Sequence, residues 1–255
     1  MSRVKLVSLL SALLFGIILK CAAAEPAKLV AMEFTGAVQS DKHGAFDYML
    51  QDIAQQLALP LEYEVFVPAR GVQIFLNGQA DCLVPSADYA PYFTGTPVIH
   101  STSFATGRFT AFTVNTPVIK QISDLERKIV GMIRDNNHWN YASHMADANI
   151  KFVGVNDLAT LVKMLYLGRI DVAVHDRGDF LLQASRLNFA SPNHDVNSPL
   201  WSEKIVITCH DNPANREFLS RINPQISAIL QSKKMNEYYR RVEQRGLKGD
   251  RNAAQ

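Results

Sequence analysis

Six side chains in this sequence have the types and positions needed to hold a small charged solute. They stand at or just after the ends of predicted strands, the edge at which α/β proteins carry their binding crevices. Arginine can form two hydrogen bonds with a carboxylate and aspartate can bind an ammonium group, so the set suits a small zwitterion. The candidate ligand-binding residues are Glu33, Phe34, Arg70, Ser86, Arg134 and Asp176.

Each of these residues also has a structural interpretation that the sequence leaves open. Arg70 lies where a predicted helix begins, and a cation there opposes the helix dipole, so it requires an anionic partner, either a ligand or a protein carboxylate. Asp176 could instead cap the helix that follows it. Arg134 could be a surface residue, and the other three could be ordinary core or loop residues.

The common signatures of catalysis and metal binding are absent from the sequence. There is no glycine-rich phosphate loop, no His-Glu-x-x-His, no Cys-x-x-Cys and no Gly-x-Ser-x-Gly. His138 and His144 are six residues apart, which puts them on different faces of a helix. The aromatic and basic cluster 238–241 is interpreted as the solvated end of an amphipathic helix. We therefore predict a protein with no catalytic residue, no metal and no cofactor.

Composition indicates a globular protein of one or two domains. The chain has 255 residues, of which 47% are hydrophobic and 20% charged, enough to build a core without a metal. Its formal net charge is +2, and without Arg3, Lys5 and Lys20 it has 23 basic and 24 acidic residues. A nearly neutral chain gives no electrostatic reason to expect nucleic acid or an anionic membrane as partner.

Those three basic residues lie in a predicted signal peptide, residues 1–24. A basic start is followed by an apolar run over 6–19 and by Ala22-Ala23-Ala24, the small-residue pattern of a cleavage site. We expect cleavage near Ala24 and a periplasmic protein, with an uncleaved anchor helix or a lipid on Cys21 as alternatives. The two remaining cysteines, Cys82 and Cys209, would then lie in a compartment that permits disulfides, and the sequence leaves open whether they are bridged.

Strands and helices must alternate to position the candidate residues. Apolar periodicity and turn residues predict strands over 28–34, 61–67, 80–84, 128–133, 151–155, 171–175 and 204–209, and helices over 44–57, 71–77, 138–146, 158–167, 178–187 and 212–244. This alternation is typical of parallel sheets covered by helices, the α/β class.

A sequence pattern that occurs twice indicates that the chain has two similar halves. Residues 75–84 and 164–174 share a helix end, a glycine, an apolar residue, an aspartate and an apolar strand. The glycine ends the helix in a left-handed conformation, and the chain turns at once into a buried strand.

These features together resemble the type II periplasmic solute-binding proteins, in particular bacterial extracellular solute-binding protein family 3, whose members bind amino acids and related solutes. The resemblance rests on the two junctions, on Gly44-Ala45-Phe46-Asp47, on Pro68-Ala69-Arg70, on Ser123-Asp124-Leu125, and on Asp176, which matches the family's amine-binding aspartate.

The resemblance implies a two-lobed α/β fold in which each lobe is a mostly parallel sheet flanked by helices. Two crossover strands, expected near 108–114 and 200–207, would join the lobes. After the signal peptide, residues 25–110 and 201–255 would form lobe 1, and residues 111–200 would form lobe 2. Cys82 and Cys209 would then fall in one sheet, possibly on neighbouring strands.

The implied function is capture of a small polar solute by lobe closure for an ABC-type transporter. The partners would be the solute and an inner-membrane permease or a sensor, with no nucleic acid, and the protein would be monomeric. A ligand sensor that docks on a receptor is one alternative. Another is an enzyme similar to periplasmic cyclohexadienyl dehydratases, with Glu33 as general acid.

Two departures from the family pattern bear on the ligand. Residues 86–93 lack the arginine that usually binds an amino acid's carboxylate, and residues 134–138 replace the usual Gly-Thr or Gly-Ser. We therefore expect ordinary α-amino acids to bind poorly, and a modified amino acid or a small organic acid to be preferred.

Overall fold

The structure is a computed structural model that describes residues 27–89, 93–134, 145 and 149–253. The predicted signal peptide and nearly all of the helix predicted over 138–146 lie outside the described residues. No helix of the described part has the length and apolar character needed to cross a bilayer.

Nine strands, six α-helices and a short 3₁₀ helix (Ile122–Leu125) make up the described chain. The strands are β1 (Leu29–Met32), β2 (Tyr63–Phe66), β3 (Cys82–Ala87), β4 (Val98–His100), β5 (Ala105–Phe112), β6 (Ile129–Ile133), β7 (Lys151–Val155), β8 (Val172–Asp176) and β9 (Trp201–His210). The helices are α1 (Ala45–Leu57), α2 (Pro68–Leu76), α3 (Leu158–Tyr166), α4 (Arg177–Arg186), α5 (Pro213–Gln231) and α6 (Met235–Ala253).

Side-chain caps set where the main helices begin. The Asp47 carboxylate accepts hydrogen bonds from the backbone N–H of Gly44 at 2.8 Å and of Gln39 at 2.9 Å, which fixes the start of α1. Asn212 accepts from the N–H of Asn215 at 2.8 Å, and Pro213 occupies the first position of α5, as the sequence predicts.

All nine strands belong to one curled sheet that runs through both lobes. The order is β2-β1-β3-β9-β5-β8-β6-β7, with β4 also pairing with β9. Strand pairs within each end of the sheet are parallel, β1 with β2 and β3, and β6 with β7 and β8. In the middle, β5 and β9 pair antiparallel with each other over Ala105–Phe109 and Trp201–Ile205, and these are the two crossover strands.

Apolar residues pack in separate cores on the two sides of the crossover. The cores on one side take residues from 29–104 and from 207–242, so that both ends of the described chain contribute. The cores on the other side take residues from 111–184. The fold is thus the predicted two-lobed α/β fold, and the exact lobe limits at residues 110 and 200 stay a prediction.

Cys82 and Cys209 lie opposite each other on the antiparallel neighbours β3 and β9 and form a disulfide. Both cysteines are fully buried. The prediction that they occupy one sheet on neighbouring strands is confirmed, and the redox state that the sequence left open is the bridged one.

The crossover region departs most from the sequence-based elements. Apolar periodicity predicted neither β4 nor β5; the resemblance placed a crossover strand near 108–114, and β5 begins three residues earlier, at Ala105. Strand β9 extends beyond the predicted strand 204–209 at both ends. A strand that passes between lobes packs its two ends against different cores, so its apolar residues do not alternate along one face. In β5 the first four residues are mostly exposed or half-buried and the last four are buried.

The prediction that residues 238–241 form a solvated amphipathic helix end agrees with Tyr239, Arg240 and Arg241, which are exposed, but not with Tyr238. Tyr238 is completely buried, and its hydroxyl donates to the Asp52 carboxylate on α1. The neighbouring Tyr239 faces the space between the lobes. Helix α6 therefore packs on α1 and contributes to the interior of the molecule.

Candidate ligand-binding cleft

The space between the lobes contains two adjoining cavities of about 450 Å³ each. We call them the Arg186 cavity and the Tyr239 cavity after a residue that lines each. Phe34, Thr35, Phe109 and Asp179 line both, so the two form one continuous cleft. Cavities of this size suit small ligands.

A tight turn after β1 carries two of the shared lining residues. Phe34 and Val38 exchange backbone hydrogen bonds of 3.0 Å, and Gly36 between them has a φ of 81°, which glycine adopts without strain. A Cβ at Gly36 would lie 2.9 Å from Leu182 Cδ2 on α4. The turn therefore closely approaches the opposite wall of the cleft, and a side chain at position 36 would strain the backbone and displace the end of Leu182.

Four of the six predicted site residues line the cleft. Glu33 and Phe34 line the Arg186 cavity, Phe34 also lines the Tyr239 cavity, and Ser86 and Asp176 line the Tyr239 cavity. The structure therefore brings together the side chains at the ends of β1, β3 and β8, and the role of these residues in binding stays a prediction.

Arg70 and Arg134 are exposed and line neither cavity. Helix α2 begins at Pro68, and Arg70 follows two residues later, about 200° around the helix axis from it. Pro68 faces the cleft and Arg70 therefore faces away. Arg134 extends across β7, where its Nη2 donates to the carbonyl of Gly154 at 3.2 Å.

Asp176 is held on both of its carboxylate oxygens. Oδ1 accepts from the N–H groups of Gly178 at 2.9 Å and Asp179 at 3.1 Å, and so caps α4. Oδ2 accepts from the N–H of Arg108 on the crossover strand β5 at 2.9 Å. The helix-cap interpretation of Asp176 is therefore realised, and any ligand would share oxygens that already accept backbone hydrogen bonds.

Ser86 belongs to a buried hydroxyl chain. Its Oγ accepts from the Thr208 hydroxyl at 2.8 Å, and Thr208 Oγ1 lies 3.0 Å from His100 Nδ1. Burial lowers the pKa of His100, against the opposing charge of Asp88, and so favours a neutral imidazole. Ser86 therefore presents to the cleft a hydroxyl oriented by a neutral network.

A buried acid and imidazole pair lies in the cleft, and the sequence pattern did not single it out. His175 Nε2 lies 2.7 Å from Asp179 Oδ2, and the two side chains are 8% and 9% exposed. Asp179 Oδ1 is buried and accepts no hydrogen bond from the described residues. Burial and, less strongly, the charge of Asp176 raise the pKa of Asp179, and the contacts with His175 and with the Thr35 hydroxyl oppose that rise. The only sequence signal was an acid in the first turn of a helix, which ordinarily reflects the helix dipole.

Helix α6 brings Tyr239 to the same place from the far end of the chain. Its side chain lines the Tyr239 cavity and packs edge-on against Phe46. The surrounding walls and the carboxylates of Asp176 and Asp179 raise the pKa of Tyr239 to about 12. The tyrosine therefore stays protonated at neutral pH.

The described cleft lining is acidic. Its one arginine or lysine is Arg186, which is exposed at the end of α4. Its carboxylates are Glu33, Asp41, Asp157, Asp176, Asp179, Glu203 and Glu243.

Comparison with solved structures identifies this architecture. The GluR0 ligand-binding core in complex with L-glutamate superposes with a TM-score of 0.73 at 14% identity, covering 86% of this chain and 98% of that one. A histidine kinase sensor domain similar to periplasmic binding proteins gives 0.72 at 12% identity, covering 84% and 94%. The substrate-binding protein of an amino acid ABC transporter gives 0.65 at 15% identity, covering 83% and 96%.

No protein-family model matches the sequence, and no curated protein matches it significantly. The assignment of the fold therefore rests on three-dimensional similarity along nearly the whole described chain, and the sequence identities are too low to transfer a ligand or an activity. Together with the two lobes, the paired crossover strands and the cleft between them, it shows that the chain has the fold of the type II periplasmic solute-binding proteins.

Proposed function

We propose that the protein captures a small solute between its lobes and presents the closed form to an inner-membrane ABC-type permease. The observation that carries this proposal is a cleft whose walls come from both lobes. Phe34 stacks near His175 with ring centroids 6.5 Å apart, and Thr35 Oγ1 lies 3.4 Å from Gln183 Oε1. These contacts join the turn after β1 to the β8–α4 segment across the cleft.

The mechanism is a shift in population between open and closed forms. A solute that touches both walls makes its full set of contacts only when the lobes are closed, so it stabilises that form by the difference in contact energy. The two crossover strands β5 and β9 are the elements that must bend as the lobes move. A permease can then recognise the solute-loaded form by its shape.

The remaining expectations form part of this proposal. The protein would be periplasmic, monomeric, without a cofactor and without catalytic activity. The sequence favours a modified amino acid or small organic acid as solute, but the positions of the two predicted arginines weaken the case for an acidic group. Neither Arg70 nor Arg134 lines the described cavities, so an anionic ligand would need another cationic partner, and the one arginine or lysine in the described lining is Arg186.

A sensory role is the second candidate, because the same fold forms the histidine kinase sensor domain. In that case the closed protein would dock on a receptor rather than on a permease. The two roles share the solute and the closure and differ only in the partner.

Identification of the bound solute tests the proposal. The mature protein is purified without added ligands, denatured, and the released small molecules are identified by mass spectrometry. Adding the identified solute to stripped protein should reduce the radius of gyration measured by X-ray scattering, because the lobes close. Turnover of that solute, or binding without a change in shape, would contradict the proposed function.

A further inference from the structure

We infer that the solute recognised by this cleft is an organic cation, an amine whose ammonium group binds Asp179 while an apolar body fills the Tyr239 cavity. The inference rests on the proposed solute-binding function and specifies the chemical class of the solute. It makes the carboxylate of an amino acid dispensable for recognition.

Asp179 has the one buried carboxylate oxygen of the described residues that accepts no hydrogen bond. Its other oxygen contacts His175 Nε2 at 2.7 Å, and its side chain is 9% exposed and lines both cavities. A buried carboxylate oxygen without a hydrogen-bond donor is costly. An ammonium group has three N–H donors and a positive charge, so it can donate to this oxygen and pair with the carboxylate.

Three other lining carboxylates already have their partners. Asp176 accepts backbone hydrogen bonds on both oxygens. Asp157 accepts from the N–H and the hydroxyl of Thr160 at 2.7 and 2.8 Å, and Asp41 contacts the Arg245 guanidinium at 3.1 Å. Among these four aspartates, Asp179 is therefore the one with a buried oxygen, Oδ1, that has no partner within hydrogen-bond distance, although the Thr35 hydroxyl lies close enough to Asp179 to lower its pKa.

The position of Arg186 argues against an α-amino acid held at both ends. Arg186 and Asp179 are seven residues apart on α4, which separates their Cα atoms by about 10 Å along the helix axis. An α-amino acid carries its ammonium and carboxylate groups on a single carbon atom, so it cannot place one on each side chain without bending Arg186 back along the helix. Arg186 also lines only its own cavity, together with Asp41 and Asp157.

The walls of the Tyr239 cavity suit the apolar part of such a cation. They include Leu83, Pro85, Phe93, Phe109 and Ile205. Aromatic faces attract cations as well as apolar groups, so the rings of Phe34 and Tyr239 favour the same charge as Asp179 does. The apolar body of an arylalkyl amine thus suits the Tyr239 cavity, and its ammonium group suits the adjoining carboxylate of Asp179.

Three probes that share a phenyl group but differ in charge test the inference. They are 2-phenylethylamine, a cation at neutral pH, 3-phenylpropionate, an anion, and L-phenylalanine, a zwitterion. Each is titrated calorimetrically into stripped wild-type protein. We expect the amine to bind at least about tenfold more tightly than 3-phenylpropionate, which lacks the ammonium contact, since a buried charged contact typically carries that much affinity. We expect a similar preference over L-phenylalanine, because its carboxylate would be buried among the lining carboxylates without a cationic partner beside Asp179.

The variant Asp179→Asn should lose that preference, while Asp195→Asn, in an exposed loop that lines neither cavity, should keep it. Circular dichroism and the unfolding midpoint of each variant check that its fold is intact, and the wild-type comparison stands without any variant. Equal or tighter binding of the propionate or of phenylalanine, or no binding of the amine, would overturn the inference. The proposed function has its own test in the released solute, so a protein that closes on an anion would refute only the inference.

Discussion

Removing the disulfide should destabilise the first lobe by an amount that the topology allows us to work out. The change is the double variant Cys82→Ser with Cys209→Ser, produced as mature protein in an oxidising compartment. The bond joins residues 127 apart in sequence. If the whole intervening chain unfolds as one flexible loop, the lost entropy corresponds to about 4.9 kcal/mol at 25 °C.

A smaller value follows if the second lobe stays folded while the first one opens. The pairing of β5 with β9 then holds Ala105 beside Ile205, and the flexible loop shrinks to residues 82–105 and 205–209. A loop of about 29 residues corresponds to about 3.6 kcal/mol. We therefore expect the variant to lose between about 3.6 and 4.9 kcal/mol of unfolding free energy.

Urea denaturation followed by far-ultraviolet circular dichroism measures this difference, with the wild type unfolded both without and with a reductant. The reduced wild type should approach the variant, because both lack the same cross-link. A thiol titration of the denatured, unreduced wild type should find neither Cys82 nor Cys209 free. Two free thiols there, or a variant whose unfolding free energy lies within about 1 kcal/mol of the wild type, would refute the reasoning.

Three further results are expected. Gly36→Ala should weaken solute-induced closure severalfold, because its Cβ would meet Leu182 across the cleft. The control Gly95→Ala has a similar φ but open space around the Cβ, so it should show only the backbone strain of about 1 kcal/mol. X-ray scattering with and without solute distinguishes the two variants. Burial opposes ionisation of Asp52, but its contacts with a lysine and a tyrosine outweigh burial and lower its pKa, so it should stabilise the fold above the pKa of an unfolded aspartate and lose that contribution as the pH falls; Asp52→Asn should show a smaller loss in acid denaturation. Amine affinity should fall on acidification from neutral pH, because protonation of Asp179 removes the charge that the ammonium group contacts. Since burial raises the pKa of Asp179, the fall should begin above the usual pKa range of an aspartate; calorimetry in a pH series measures this.

Local sequence signals predicted most of the elements that build each lobe. The strand over 151–155 agrees residue by residue with β7, and the cap at Asn212 with Pro213 after it marks the start of α5. Such elements bury one face against one core, so their apolar periodicity is regular. Periodicity alone did not predict the crossover strand β5, which only the resemblance placed near 108–114, because its two ends have different surroundings that no single period describes.

The candidate site shows the same division. The strand ends were predicted well enough to bring Glu33, Phe34, Ser86 and Asp176 to the cleft, because parallel strands end at a common edge. The direction of a side chain beyond a strand end depends on the turn that follows. The glycine at 154 leaves room for Arg134, whose Nε lies 3.3 Å from where a Cβ would be, and so draws the arginine over β7.

The pair of His175 and Asp179 and the contribution of Tyr239 could not be found in this way. An acid in the first turn of a helix is common for electrostatic reasons alone, and nothing local shows that this one is buried without a second partner. Tyr239 reaches the cleft only because α6 returns from the C-terminal end to pack on α1. Both depend on tertiary contacts between distant segments.

The strand β9 sets the order in which the protein can be completed as it emerges from a ribosome or a translocation channel, N-terminal end first. The core residues within 111–184 are all available before β9 appears, so that unit can assemble early. The other core needs Ile207, Cys209 and residues as far as Val242. Strands β1, β2 and β3 therefore emerge long before β9, the strand that pairs with β3. During that interval β3 has an open edge and Cys82 a free thiol, which makes this half of the molecule the one most exposed to wrong pairing and most dependent on chaperones or thiol oxidants.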